Sequence, residues 1–173
     1  MTPDTFRAVA VLLVAAVAVG FDVRTRRIPK VLTLARAVVA AMFGAVVSGV
    51  AGLGTTVLAW LLGVALFFPF FALRGMGAGD VKLLAALAAW LGPLDTLYLA
   101  VFASIAGGTI AVLVSLSCGY LRQAFSNIFL MLMHWRVVGP RPVPGLTLRD
   151  TRAPRLAYAI PIAIGALCTL WRH

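Results

Sequence analysis

The chain has 173 residues, 62% of them hydrophobic and only 12% charged, with a mean hydropathy of +1.04; that balance excludes a soluble globular domain and describes an integral membrane protein. Fifteen Lys and Arg stand against five acidic residues, all Asp, for a formal charge of +10. The cations fall in the gaps between apolar runs and not on a basic face with aromatic platforms, which argues against nucleic-acid binding and fits the bias of membrane proteins towards positive inner loops.

A transmembrane helix needs about 20 apolar residues, with a range of roughly 17 to 25. The sequence accordingly predicts an all-α, polytopic membrane protein with about six transmembrane helices, near 5–21, 31–50, 53–73, 81–92, 96–118 and 155–171. The first run, Ala8 to Gly20, could be mistaken for a secretory signal. Its basic cluster (Arg24, Arg26, Arg27 and Lys30) follows the apolar stretch instead of preceding it, so the segment is expected to stay as a helix. Gly20 to Lys30, Gly49 to Gly54, Arg74 to Asp80 and Gly92-Pro93-Leu94-Asp95 supply the breaks. The fourth span is the shortest: about 12 residues give about 18 Å of helix, against a hydrocarbon core of about 30 Å. The Gly-rich segment before it is therefore expected to dip into the slab, where irregular backbone must be buried in protein or line water. That implies a hydrated pocket at Asp80. Leu121, Phe125, Ile128, Phe129, Leu132 and Trp135 recur at helical spacing beside Arg122, Gln123, Ser126, Asn127 and Arg136, the pattern of a helix lying in the membrane interface. Gly139 to Gly145, with three prolines, reads as a stiff loop. Residues 1–173 are expected to form a single membrane domain, with the interfacial helix and loop at about 119–154.

Orientation follows from counting Lys and Arg on each side of the spans. With the amino terminus outside, Arg24, Arg26, Arg27, Lys30, Arg74, Lys82, Arg122, Arg136, Arg141, Arg149, Arg152 and Arg155 gather at the cytoplasmic face. Arg7 and Arg172 remain near the outer one, and both termini are expected outside. Asp22 and Asp80 are separated by two crossings, so they are predicted on the same, cytoplasmic, side at similar depth.

A carboxylate at a membrane boundary is costly and calls for a reason. Two such groups brought together do not both ionise easily, so one keeps a proton while the other acts as a base. Such a pair can hydrolyse a peptide bond without a metal or a covalent nucleophile. Gly75, Gly77 and Gly79 clear side chains from the neighbourhood of Asp80, allowing close approach of a substrate backbone or of the helix that carries Asp22. Purely structural roles are open too: Asp22 pairing with Arg24, Arg26 or Arg27, and Asp80 at the positive amino end of the next helix. Cys118, Cys168, His134 and His173 have neither the spacing nor the company of a metal site or a disulfide framework, and no cofactor is expected.

The run Asp22-Val23-Arg24-Thr25-Arg26-Arg27-Ile28-Pro29, followed by Gly75-Met76-Gly77-Ala78-Gly79-Asp80-Val81-Lys82-Leu83, resembles the paired signatures of type IV prepilin peptidases, membrane aspartic proteases with a Gly-x-Gly-Asp motif. The resemblance extends to the six-span layout and to Leu156-Ala157-Tyr158-Ala159-Ile160-Pro161 before the last helix. It implies Asp22 and Asp80 as the catalytic pair, with Gly77 and Gly79 shaping the site. It also implies a multi-pass protein of the bacterial inner membrane, with pilin-like precursors as substrates. Their short basic leaders would be removed on the cytoplasmic side, after a Gly that precedes an apolar helix. Long members of the family carry a cytoplasmic domain with paired Cys-x-x-Cys that accompanies methylation of the new amino terminus. Neither is present in this chain, whose size is closer to that of the peptidases of tight-adherence, Flp-type, pilus systems. Lys30 stands where members often have Asn. The alternative from another class is a small proton-coupled transporter or channel component, since paired membrane acids also relay protons. Such proteins are expected to have matched broken helices in two repeats; here Arg74 to Asp80 has no counterpart.

Overall fold

In hydrocarbon, a chain can satisfy its backbone amides only by coiling each apolar run into a helix or closing a barrel. The computed structural model describes residues 3–25, 30–73, 76–139, 141, 143 and 158–172. Among them are six helices and no strand: α1 (Pro3–Thr25), α2 (Lys30–Ala72), α3 (Ala78–Leu91), α4 (Pro93–Ser117), α5 (Leu121–Val138) and α6 (Ala159–Trp171).

The two spans expected at 31–50 and 53–73 fall within α2, which reverses direction partway along. Ser48 and Gly49 leave helical geometry, and Gly49 takes φ 62, a left-handed value that suits glycine. A Cβ placed on Gly44 would lie 2.8 Å from the Gly52 carbonyl oxygen and 2.6 Å from Thr56 Oγ1. Residues eight apart on a straight helix are about 12 Å apart, so the chain folds back at Ser48–Gly49 into two antiparallel arms. The arm from Val50 to Ala72 is about 35 Å long at 1.5 Å per residue, enough to cross a bilayer.

Ala37–Ala72 and Pro93–Ser117 are long and apolar enough to cross a membrane, and the apolar Thr5–Gly20 and Ala159–Trp171 are shorter. In the most apolar stretch of α4 only 17% of residues are buried. Leu97, Val101, Ile105, Val112, Leu113 and Leu116 all face outward. That surface belongs against lipid, because a soluble monomer rarely exposes so large an apolar patch.

At the centre lies α3, with Val81 and every residue from Leu83 to Trp90 buried. Its alanines let neighbours come close: a Cβ on Gly63 of α2 would lie 2.9 Å from Ala85 Cα. Small residues serve the same purpose between α4 and α6, where a Cβ on Gly165 would lie 2.7 Å from the Ala103 nitrogen. Such contacts let membrane helices gain dispersion energy that lipid alone does not give them.

The ends of the bundle are fixed by polar and aromatic contacts. Phe6 stacks on Phe43 at 4.9 Å and lies 6.1 Å from Trp90, which joins the start of α1 to the end of α3. Arg172 bonds Asp95 at 2.7 Å and lies 3.8 Å over the Tyr98 ring, tying the end of α6 to the start of α4. The opposite end therefore gathers the close of α1 with the openings of α3 and α6. No residue of α5 is buried, and Phe125, Phe129 and Leu132 are uncovered by protein, as an interfacial helix requires. The stretch from Pro144 to Ala157, which includes most of the expected loop, lies outside the described residues.

Candidate active site

Asp80 sits in the first turn of α3. The sequence places the fourth helix from Val81, but it begins at Ala78. Gly77, with φ −76 and ψ 145, takes the cap position, and its carbonyl accepts the Asp80 N–H at 3.2 Å. The carboxylate turns back over the cap and accepts a hydrogen bond from the Gly77 backbone. This is the acidic half of a capping box. A Cβ on Gly77 would meet Asp80 Oδ2 at 2.9 Å, so the carboxylate occupies the space that the missing side chain leaves. The structural role open to Asp80, at the positive end of a helix, is thus realised. Even so, Asp80 is close enough to Asp22 for the two charges to act on each other. Gly79 lies in the same first turn, and Gly75 lies outside the described residues.

Asp22 arrives from α1, in the last turn, and is only 8% exposed. A negative charge there meets the negative end of its own helix. Compensation comes from a distant part of the chain: the backbone N–H of Ala159, the first residue of α6, donates to Asp22 Oδ2 at 3.2 Å. The positive end of α6 thereby offsets the negative end of α1. Among the described residues no cation pairs with Asp22. Arg24 is exposed, and Arg26 and Arg27 lie outside the described residues.

Tyr158 precedes Ala159 and caps α6. Its phenol is close enough to Asp80 to be acted on by that carboxylate's charge. The same ring lines a groove of about 250 Å³, together with Phe67, Met76, Gly108, Pro161 and Ile162. A hydrated pocket was expected at Asp80; the groove beside it is chiefly apolar. Sequence reading identified neither Tyr158 nor the Ala159 amide as part of the site. The available signal was Pro161 three residues past Tyr158, since proline is tolerated only in the first turn of a helix. Among the described residues no three His, Cys, Asp or Glu side chains gather as a metal would need.

Two acids in unlike surroundings stand at one end of a helical membrane protein, beside an apolar groove. Residues 8–112 match the type IV leader peptidase family. That stretch is more than half of the chain and contains both Asp22 and Asp80, and the protein belongs to this family of membrane peptidases. No curated protein and no solved structure matches the chain.

Proposed function

We propose that the protein is an aspartic endopeptidase that removes the leader of pilin-like precursors on the cytoplasmic side of the inner membrane. The observation that carries this reading is the meeting of Asp22 and Asp80 at one end of the bundle, near enough for their charges to interact. The acids divide the work according to their surroundings. Asp22, at the amino end of α6, acts as the base: it takes a proton from water as the oxygen attacks the scissile carbonyl carbon. Asp80, seated over its own cap, gives its proton to the carbonyl oxygen, yielding a neutral gem-diol. The diol then collapses: a hydroxyl proton returns to Asp80, the carbon–nitrogen bond breaks, and the leaving nitrogen takes the proton from Asp22. Both acids end in their starting states.

The wider topology belongs to the same proposal: six crossings within one membrane domain, both termini outside and the acids inside. The two arms of α2 return the chain to the side on which Asp22 lies, which supports it. The membrane-exposed apolar faces of α2 and α4 account for lipid contact, and the substrate's apolar helix would approach from the same phase.

The test is co-expression with a pilin-like precursor carrying a short basic leader, a Gly at the cleavage position and an apolar helix after it. Asp22→Asn and Asp80→Asn should each abolish the size shift that marks leader removal while still accumulating in the membrane, whereas Asp95→Asn should retain cleavage. Full processing by either of the first two would refute the aspartic mechanism. Proton flux without peptidase activity in the parent would indicate a transporter.

A further inference from the structure

Tyr158 is a polar side chain on the wall of an apolar groove, and its surroundings give that hydroxyl no structural task. Among the described residues its oxygen makes no hydrogen bond, although the residue is half-buried and packed against the core. The ring lines the groove, and a Phe would fill the same wall. The position is tightly defined. The next residue, Ala159, donates its N–H to Asp22 Oδ2 at 3.2 Å, and the Tyr158 carbonyl accepts the Ile162 N–H at 3.2 Å in the first turn of α6. Across the groove lies Met76, next to the Gly77 cap under Asp80. The ring therefore stands where the apolar groove meets the two acids.

Resting on the aspartic reading above, we propose that the Tyr158 hydroxyl is a third catalytic group, donating a hydrogen bond to the carbonyl oxygen of the scissile peptide bond. Among the described residues the donor has no partner; in the reaction it meets the one atom that gains negative charge. As water adds to the carbonyl carbon, electron density moves onto that oxygen. Tyr158 stabilises it while Asp80 delivers its proton, and the phenol keeps its own proton throughout. A donor aimed at developing charge in a site poor in water contributes far more than one in solution. The groove then has a defined sense: residues on the carboxyl side of the cut lie along Phe67, Gly108 and Ile162, and the reacting carbonyl sits under Tyr158.

The experiment uses the full-length protein in membranes and a precursor that the wild type cleaves, with kcat and KM measured separately. Tyr158→Phe keeps the ring and removes only the donor. Its kcat should fall about 100-fold, with KM within about twofold and membrane levels unchanged. Tyr158 replaced by 4-aminophenylalanine retains an N–H donor on the same ring and should cleave well above the Phe variant. A wild-type kcat for Tyr158→Phe, or equal rates for the two variants, would overturn the proposal. Asp80→Asn in the same assay separates this idea from its foundation. If Asp80→Asn is silent while Tyr158→Phe is fully active, only the role of Tyr158 fails; if Asp80→Asn is active, the aspartic mechanism fails as well.

Discussion

Two glycines that look alike in the sequence should fail in different ways when a methyl group is added. At Gly77 the backbone, φ −76 and ψ 145, is open to any L residue, so alanine brings no backbone strain and loses less entropy on folding, worth about 0.4–1 kcal/mol. Its Cβ, however, would lie 2.9 Å from Asp80 Oδ2 and 3.8 Å from Cγ. To regain van der Waals separation the carboxylate must retreat by about 0.5 Å. A displacement of about 1 Å in a reacting group can cost about 100-fold in rate, so half of that should lower kcat about 10-fold with KM little changed. At Gly165 the new Cβ would meet backbone: 2.7 Å to the Ala103 nitrogen and 3.0 Å to its Cα. No rotamer relieves that contact, and α4 and α6 must part, at about 1–3 kcal/mol. Thermal unfolding in detergent and precursor cleavage, measured on the same preparations, separate the two effects. Gly77→Ala should melt at or slightly above the wild-type temperature and cleave slowly. Gly165→Ala should melt several degrees lower. A fully active Gly77→Ala, or one that loses as much stability as Gly165→Ala, would refute the reading of Asp80 as a carboxylate seated over its own cap.

The rate of cleavage against pH should fall on the alkaline side as Asp80 loses the proton it must donate. A rate that does not fall on the alkaline side would contradict the assignment of Asp80 as the acid. Reporter fusions after Gly139 should report the cytoplasm, and fusions at Asp95 the outer side; the reverse pattern would put the acids on the wrong face for leader removal.

The helices were largely legible because membrane spans are long and apolar and end at Gly, Pro and charge. The reversal at Ser48–Gly49 falls at the start of the expected break, since glycine is where a helix can turn back on itself. The start of α3 was misjudged by three residues. Gly-Met-Gly-Ala-Gly reads as a breaker by propensity, but Gly77 takes the cap and Asp80 satisfies its amide, so Ala78 and Gly79 are drawn into the helix. The two acids were legible as isolated charges in apolar surroundings. What secures Asp22 was not: the Ala159 amide is 137 positions away, and a backbone donor leaves no mark in the residue type. Tyr158 was hidden for a related reason, because an aromatic beside an apolar run is ordinary at a membrane boundary and only the packing of α6 against α1 and α4 brings it to the acids.

The hydrogen bond between Asp22 and Ala159 also bears on how the protein is made. Asp22 lies at the close of the first helix, and its amide partner follows 137 positions later. Until α6 packs against α1, the carboxylate stays at the unfavourable end of α1 without that donor, and Tyr158 has not arrived. A nascent chain therefore carries both acids through most of its synthesis without a finished site. If the two acids are the catalytic pair, the site is complete only when α6 is in place.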